Sequence, residues 1–215
     1  KSIKSGIDTQ LLYGDNFKVI KKFSGWKKIK IKKDGYIGCV QNKRFSKPIK
    51  PNFKVCVLKA CLFSKPSVKK KLKQFLPFAS RVRIIQKKGK FGKFDKYWIK
   101  ISDLKKISFK YKDVFKDVKL FKNIRYMWGG KSYKGIDCSA LVQIFFNQNN
   151  LFCPRDSKDQ EKFFKRKINL QNIKKNDLIF WKGHVAIALS TNNLIHAYGP
   201  MKKVVVMDIK RTVER

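Results

Sequence analysis

The sequence predicts an α+β protein, and three observations carry that prediction. The first half breaks into short apolar runs separated by Gly with Asp, Asn or Ser. One stripe of helical period follows a Trp-Gly-Gly turn, and four closely spaced apolar runs fill the end of the chain. LLYGDN, FSGWKK and KKDGYIGCV set turn residues between strands, as in a small antiparallel barrel. Ile29 and Ile31 alternate with Lys, so that strand is expected to bury one face and solvate the other. KPIKP (47–51) is a Pro-bounded break and reads as a linker. A second β series follows in NFKVCVLKACLF, RVRIIQK, the KKGKFGKF turn and DKYWIKI, with a Lys-rich excursion between them. The expected domains are therefore 1–50, a small β-barrel, 51–108, a second β series, and 109–215, an α+β domain.

The third segment opens with Val114, Phe115, Leu120 and Phe121, which suggest a helix. Cys138, Leu141, Val142, Phe145 and Phe146 then fall on one helical face. PRDSKDQEKFF (154–164) predicts a further helix, with Ser157 and Gln160 in capping-box spacing. NDLIFWKG, HVAIALS, NLIHAYG and VVVMDI complete the chain as an antiparallel sheet.

Charge alone points to a different function. Lys and Arg number 53 against 14 Asp and Glu, for a formal charge of +39, yet only 8 of the 53 are Arg. Arg does most bidentate phosphate and base recognition, so a solvated Lys surface is the first reading and an anionic partner the second. Non-specific attraction of polyanions follows in either case. Five Cys without CxxC spacing argue against a disulfide framework and suit a reducing compartment. No apolar run is long enough to span a membrane, and KSIKSGIDTQLLYG lacks a signal peptide's apolar core. The expected location is the cytoplasm, or the cell envelope if the N-terminus is processed.

The residues with chemistry are few. The chain has two His, His184 and His196, in consecutive predicted strands, where a hairpin would make them neighbours. Cys138 begins a helix, where the unpaired N–H groups and the macrodipole favour a thiolate. A His beside it would serve as base, a third polar group would orient that base, and the Cys138 N–H would face an oxyanion. Three alternatives stand beside this: a core Cys with structural His residues, a zinc site using Cys138, His184, His196 and Cys153, and a binding module built on the Lys surface.

At these residues the sequence resembles the NlpC-type cell-wall cysteine peptidases. The resemblance runs through Tyr126-Met127-Trp128-Gly129-Gly130 and then Gly135-Ile136-Asp137-Cys138-Ser139-Ala140-Leu141-Val142-Gln143. It continues in Pro154-Arg155-Asp156-Ser157-Lys158-Asp159-Gln160, Asn176-Asp177-Leu178-Ile179-Phe180, His184-Val185-Ala186-Ile187 and Ile195-His196-Ala197. It implies a papain-like domain with Cys138 as nucleophile, His184 as general base and His196 orienting it, and no metal or other cofactor. The first two-thirds is similar to the tandem bacterial SH3-type domains of one branch of the family. That branch resembles γ-D-glutamyl-L-diamino acid endopeptidases acting on peptidoglycan stem peptides with a free N-terminal L-Ala. The resemblance assigns the substrate ammonium to Asp137 and Ser139, pocket closure to Tyr36, the pocket lining to Arg155 and Ser157, and a place beside the oxyanion to Tyr126. Ala140, Ala186 and Asn176 stand where the family has Gly, and the two Ala bear on pocket width. An amidase or acyltransferase using the same Cys-His pair is the alternative within the enzyme class.

Overall fold

The computed structural model describes residues 6–43 and 45–213. The chain divides into two compact units, one containing Leu11–Lys110 and the other made of Gly6–Gln10 with the chain from Tyr111 onward. The segment Gly6–Gln10 belongs with the second unit, which nothing in its composition announces.

In the first unit, β1 (Phe17–Phe23), β2 (Trp26–Ile31) and β3 (Ile37–Gln41) form an antiparallel sheet in chain order. Ile29 and Ile31 are buried while Lys28 and Lys30 are exposed, as their alternation requires. Eight strands follow: β4 (Phe53–Val55), β5 (Lys59–Phe63), β6 (Lys71–Pro77), β7 (Arg81–Val82), β8 (Gln86–Lys88), β9 (Phe91–Phe94), β10 (Tyr97–Lys100) and β11 (Leu104–Lys106). They make a five-stranded sheet in the order β6-β5-β10-β9-β8 and a three-stranded sheet in the order β11-β4-β7. Val55, Ala60, Leu62, Val82, Phe94 and Ile99 form the core. All three sheets are open runs of strands among the described residues. The Lys-rich excursion is a correction: it holds a single 3-10 turn (Val68–Lys70) and the edge strand β6. Lys71 and Lys73 are exposed on that edge, where Lys also discourages pairing with another chain.

In the second unit, the helix expected around Val114 to Phe121 is only a short 3-10 segment. A chain of turns leads to a 3-10 segment at Val118–Phe121, and Phe115, Val118 and Phe121 are buried at intervals of three, the period of that helix. The short hairpin β12 (Lys131–Ser132) and β13 (Gly135–Ile136) leads into α1 (Cys138–Gln148). Helix α1 is buried on nearly every side, with only Phe146 partly exposed, so the apolar stripe is part of an almost enclosed helix. Phe115 and Phe121 pack their rings on Phe145. Helix α2 (Ser157–Phe163) begins one residue earlier than a capping box allows: Asp156 is the N-cap and Ser157 the first helical residue. Strands β14 (Leu178–Trp181), β15 (His184–Ala188), β16 (Asn193–Tyr198) and β17 (Lys203–Asp208) form an antiparallel sheet in chain order, followed by α3 (Ile209–Val213). No helix among the described residues is long and apolar enough to cross a membrane.

Candidate active site

The site is built around the start of α1. Asp137 caps the helix, its Oδ1 accepting from the Ala140 N–H at 2.8 Å. Arg155 grips the same carboxylate with a fork, Nη1 to Oδ1 at 3.0 Å and Nη2 to Oδ2 at 2.6 Å. Nη1 also donates to Ser139 Oγ at 2.9 Å, and Ser139 Oγ donates to Asp137 Oδ1 at 3.3 Å. The Gly129 N–H completes the set, donating to Oδ2 at 2.9 Å. The Asp137 carboxylate thus accepts five hydrogen bonds, and both charged partners are buried. Removing one partner of such a pair typically costs about 3–5 kcal/mol, because the other charge is left buried and unmatched.

Gly129 and Gly130 make this wall possible. Gly129 has φ +71°, and a Cβ there would meet the Ile7 carbonyl oxygen at 2.0 Å. A Cβ on Gly130 would lie 2.5 Å from the Gly135 carbonyl oxygen. The backbones therefore approach closely only because side chains are missing. The segment at Ile7 continues across the wall. Thr9 Oγ1 accepts from Arg155 Nε at 2.9 Å, and Gln10 Oε1 accepts from the Lys131 N–H at 2.8 Å. Gln160 closes the other side, its Nε2 donating to the carbonyls of Ser139 and Pro154 at 2.9 Å each.

Cys138 is the first residue of α1 and is 7% exposed. Burial pushes its thiol pKa up, against the pull of hydrogen bonding from the backbone at Val185 and Ser139. The lowered thiol pKa expected from the helix start alone is thereby corrected: desolvation outweighs the helix end, and the free thiol stays protonated at neutral pH. Val185 follows His184 on β15. His184 Nε2 lies 2.8 Å from His196 Nδ1, so the predicted hairpin does bring the two imidazoles together. Trp181 packs on His184, and Tyr198 stacks flat on His196 at 4.7 Å. Burial lowers the pKa of His184, and burial followed by His184 itself lowers that of His196 to about 4. Met207 Sδ lies 3.2 Å from His196 Nε2.

Tyr126 stands near Cys138 and Asp137: its hydroxyl pKa is raised first by burial and then by the repulsion a tyrosinate would meet from these two acidic groups. Ser157 opens α2 beside Asp156. Tyr36 lies on the turn between β2 and β3, its N–H donating to Asp34 Oδ1, within the other unit. Ala186 packs into the core with Ala188, Leu194, Ile173 and Ile209, and Ala140 is fully buried under the helix cap. Asn176 has φ +76°, a left-handed position that Asn tolerates in place of Gly. The five cysteines are free thiols, and among the described residues no three His, Cys, Asp or Glu come together as a metal site.

Three residues of this site were not singled out in the sequence. Asp156 makes no capping bond, and its carboxyl pKa is raised by burial and by Asp159, Asp137 and Asp8, with Arg155 opposing. It sits inside the Pro-Arg-Asp-Ser motif, so the signal was present. Thr9 lies 146 positions from Arg155, and Met207 sits in an ordinary apolar strand, so neither carried one.

Residues 123–213 match the NlpC/P60 family, and residues 2–44 match the bacterial dipeptidyl-peptidase Sh3 domain. The chain is 26% identical to the gamma-D-glutamyl-L-lysine dipeptidyl-peptidase of Bacillus subtilis (strain 168), over 96% of this chain and 77% of that protein. It is 40% identical over 72 residues to dipeptidyl-peptidase 6 of Lysinibacillus sphaericus, a match spanning 34% of this chain and about a quarter (27%) of the relative. Among solved structures, an NlpC/P60 family protein from Bacillus cereus ATCC 10987 superposes with a TM-score of 0.81 at 23% identity, covering 94% of this chain and 77% of that one.

Proposed function

We propose, from the premise that this chain carries an NlpC/P60 cysteine-peptidase domain behind a bacterial SH3 domain, that it hydrolyses the γ-D-glutamyl–L-diamino acid bond of peptidoglycan stem peptides with a free N-terminal L-Ala. The observation that carries the reading is the contact between His184 and His196 at 2.8 Å, in the same unit as a Cys at the start of a capped helix. Cys138 Sγ attacks the γ-carbonyl carbon while His184 takes the thiol proton. The oxyanion faces the Cys138 N–H. Collapse breaks the C–N bond, and the imidazolium returns its proton to the leaving amine of the diamino acid. Water, deprotonated by His184, then hydrolyses the γ-glutamyl thioester and frees Cys138.

Recognition of the free amine needs an acidic group with acceptor capacity to spare. Asp137 has five donors, so in this reading it acts with Ser139 by fixing Arg155 and the wall of the pocket. Asp156, exposed beside Arg155 and without a capping bond, receives the ammonium. Ser157 lines the same pocket, and Tyr126 sits beside the oxyanion. The same reading takes residues 1–50 and 51–108 as two SH3-like barrel modules and 109–215 as the papain-like domain; the Sh3 match over 2–44 supports the first. The Bacillus subtilis relative, a gamma-D-glutamyl-L-lysine dipeptidyl-peptidase, supports the bond class. A preference for released peptides suits a cytoplasmic recycling role.

The test is hydrolysis of L-Ala-γ-D-Glu-diaminopimelate and of its N-acetylated twin, with Cys138→Ala as control. Cleavage of the free-amine peptide alone is expected. Cleavage of both would remove the amine gate, and cleavage of neither by folded protein would move the assignment to acyl transfer on another substrate.

A further inference from the structure

Burial keeps both imidazoles neutral at pH 7, so each ring carries one proton and the question is where. With His184 Nε2 and His196 Nδ1 2.8 Å apart, one proton lies between them. Two arrangements satisfy this. In the first, His184 Nε2–H donates to His196 Nδ1, His196 carries its own proton on Nε2, and His184 Nδ1 is bare. In the second, His196 Nδ1–H donates to His184 Nε2, His196 Nε2 is bare, and the proton of His184 sits on Nδ1, where it can take up no other. The contact of His196 Nε2 with Met207 Sδ at 3.2 Å separates the two. A thioether accepts a hydrogen bond weakly and has no proton to give. The first arrangement points an N–H at the sulfur; the second sets two lone pairs against each other.

We propose that Met207 is a positioning residue that fixes the tautomers of both histidines, leaving Nδ1 of His184 bare to act as the base. The sheet puts it in place. Strand β17 runs antiparallel to β16 with Leu194 opposite Met207 and His196 opposite Val205, so Met207 is the diagonal neighbour of His196 on one face. Met207 is itself half-buried, packed against the cluster that holds Ala186, Ala188 and Leu194. It stands where an oxygen acceptor would otherwise be needed, and it does so without adding a charge to a buried pair. The inference rests on reading Cys138 and His184 as nucleophile and base.

Because the chain has two His, a spectrum of 15N-histidine-labelled protein contains signals from this site alone. At pH 8 both rings are expected to show pyrrole-type Nε2 and pyridine-type Nδ1. Met207→Leu conserves volume and removes the acceptor. It is expected to shift His196 towards a mixture of tautomers and to lower kcat about threefold with KM unchanged, as the competent fraction falls. A proton on Nδ1 of His196 in the wild-type protein, or a Met207→Leu spectrum identical to wild type, overturns the proposal. Met207→Ile serves if the Leu variant does not fold. The spectrum does not depend on turnover: the expected tautomers in a protein inactive on the peptide would sink the substrate assignment and leave the role of Met207 standing.

Discussion

Asp137 and Arg155 show how much one residue pair decides. Their fork ties together the cap of α1, Ser139 and Thr9. Arg155→Lys keeps the charge and loses the planar fork, so a loss of about 2–3 kcal/mol in urea unfolding and at least a tenfold fall in kcat/KM are expected. Thr9→Val keeps the shape and deletes the acceptor; kcat/KM should fall about tenfold, with Thr9→Ser restoring it. Asp156→Asn is expected to reduce the preference for free-amine over N-acetyl peptide by about tenfold or more, read from the ratio of the two kcat/KM values. The cap was legible at this scale, because an Asp just before a helical stripe has a local meaning. Arg155 became legible through its motif. Thr9 was not, since a bond between residues 146 apart leaves no trace in spacing.

Elements with a clean period read correctly, and those that borrow a neighbour's support did not. Ile29 and Ile31 gave β2, and the run from Cys138 gave α1. The stretch before Tyr126 was mistaken for an α-helix because Phe115, Val118 and Phe121 bury at a spacing of three, which a short 3-10 turn satisfies. Strand β6 was hidden because an edge strand shows its Lys residues to solvent. The C-terminal sheet sets the response to acid. His196 titrates near pH 4 when folded against an ordinary value of 6.5. Between those limits the unfolded chain binds a proton that the folded one refuses, so stability is full above about pH 6.5 and falls as pH drops towards 4. Melting temperatures measured at pH 7, 5.5 and 4.5 should decline in that order. At the other end of the pH range, the raised Cys138 pKa and lowered His184 pKa keep the thiol and neutral imidazole paired, so the enzyme's own contribution to kcat/KM should be flat between about pH 7 and 8.

For the whole molecule, the sequence's loudest signal, a charge of +39, is separate from the chemistry. Binding to a polyanion such as heparin should weaken steeply between 50 and 200 mM salt. Hydrolysis of a small peptide over the same range should change less than about twofold, because the site's one strong ion pair is buried. The α+β class was legible from the pattern of apolar runs. The return of Gly6–Gln10 to the second unit was not, because five residues carry no period of their own.

That return bears on how such a protein can be inherited. Recombination that cuts at residue 110 and moves the downstream piece into a new gene would leave behind Thr9 and Gln10, which brace Arg155 and Lys131. The recipient would have to invent a substitute brace before the transplanted piece worked at full rate. Lineages that carry this arrangement are thus bound to keep Gly6–Gln10 and the chain from Tyr111 onward together, however freely the sheets of Leu11–Lys110 diverge.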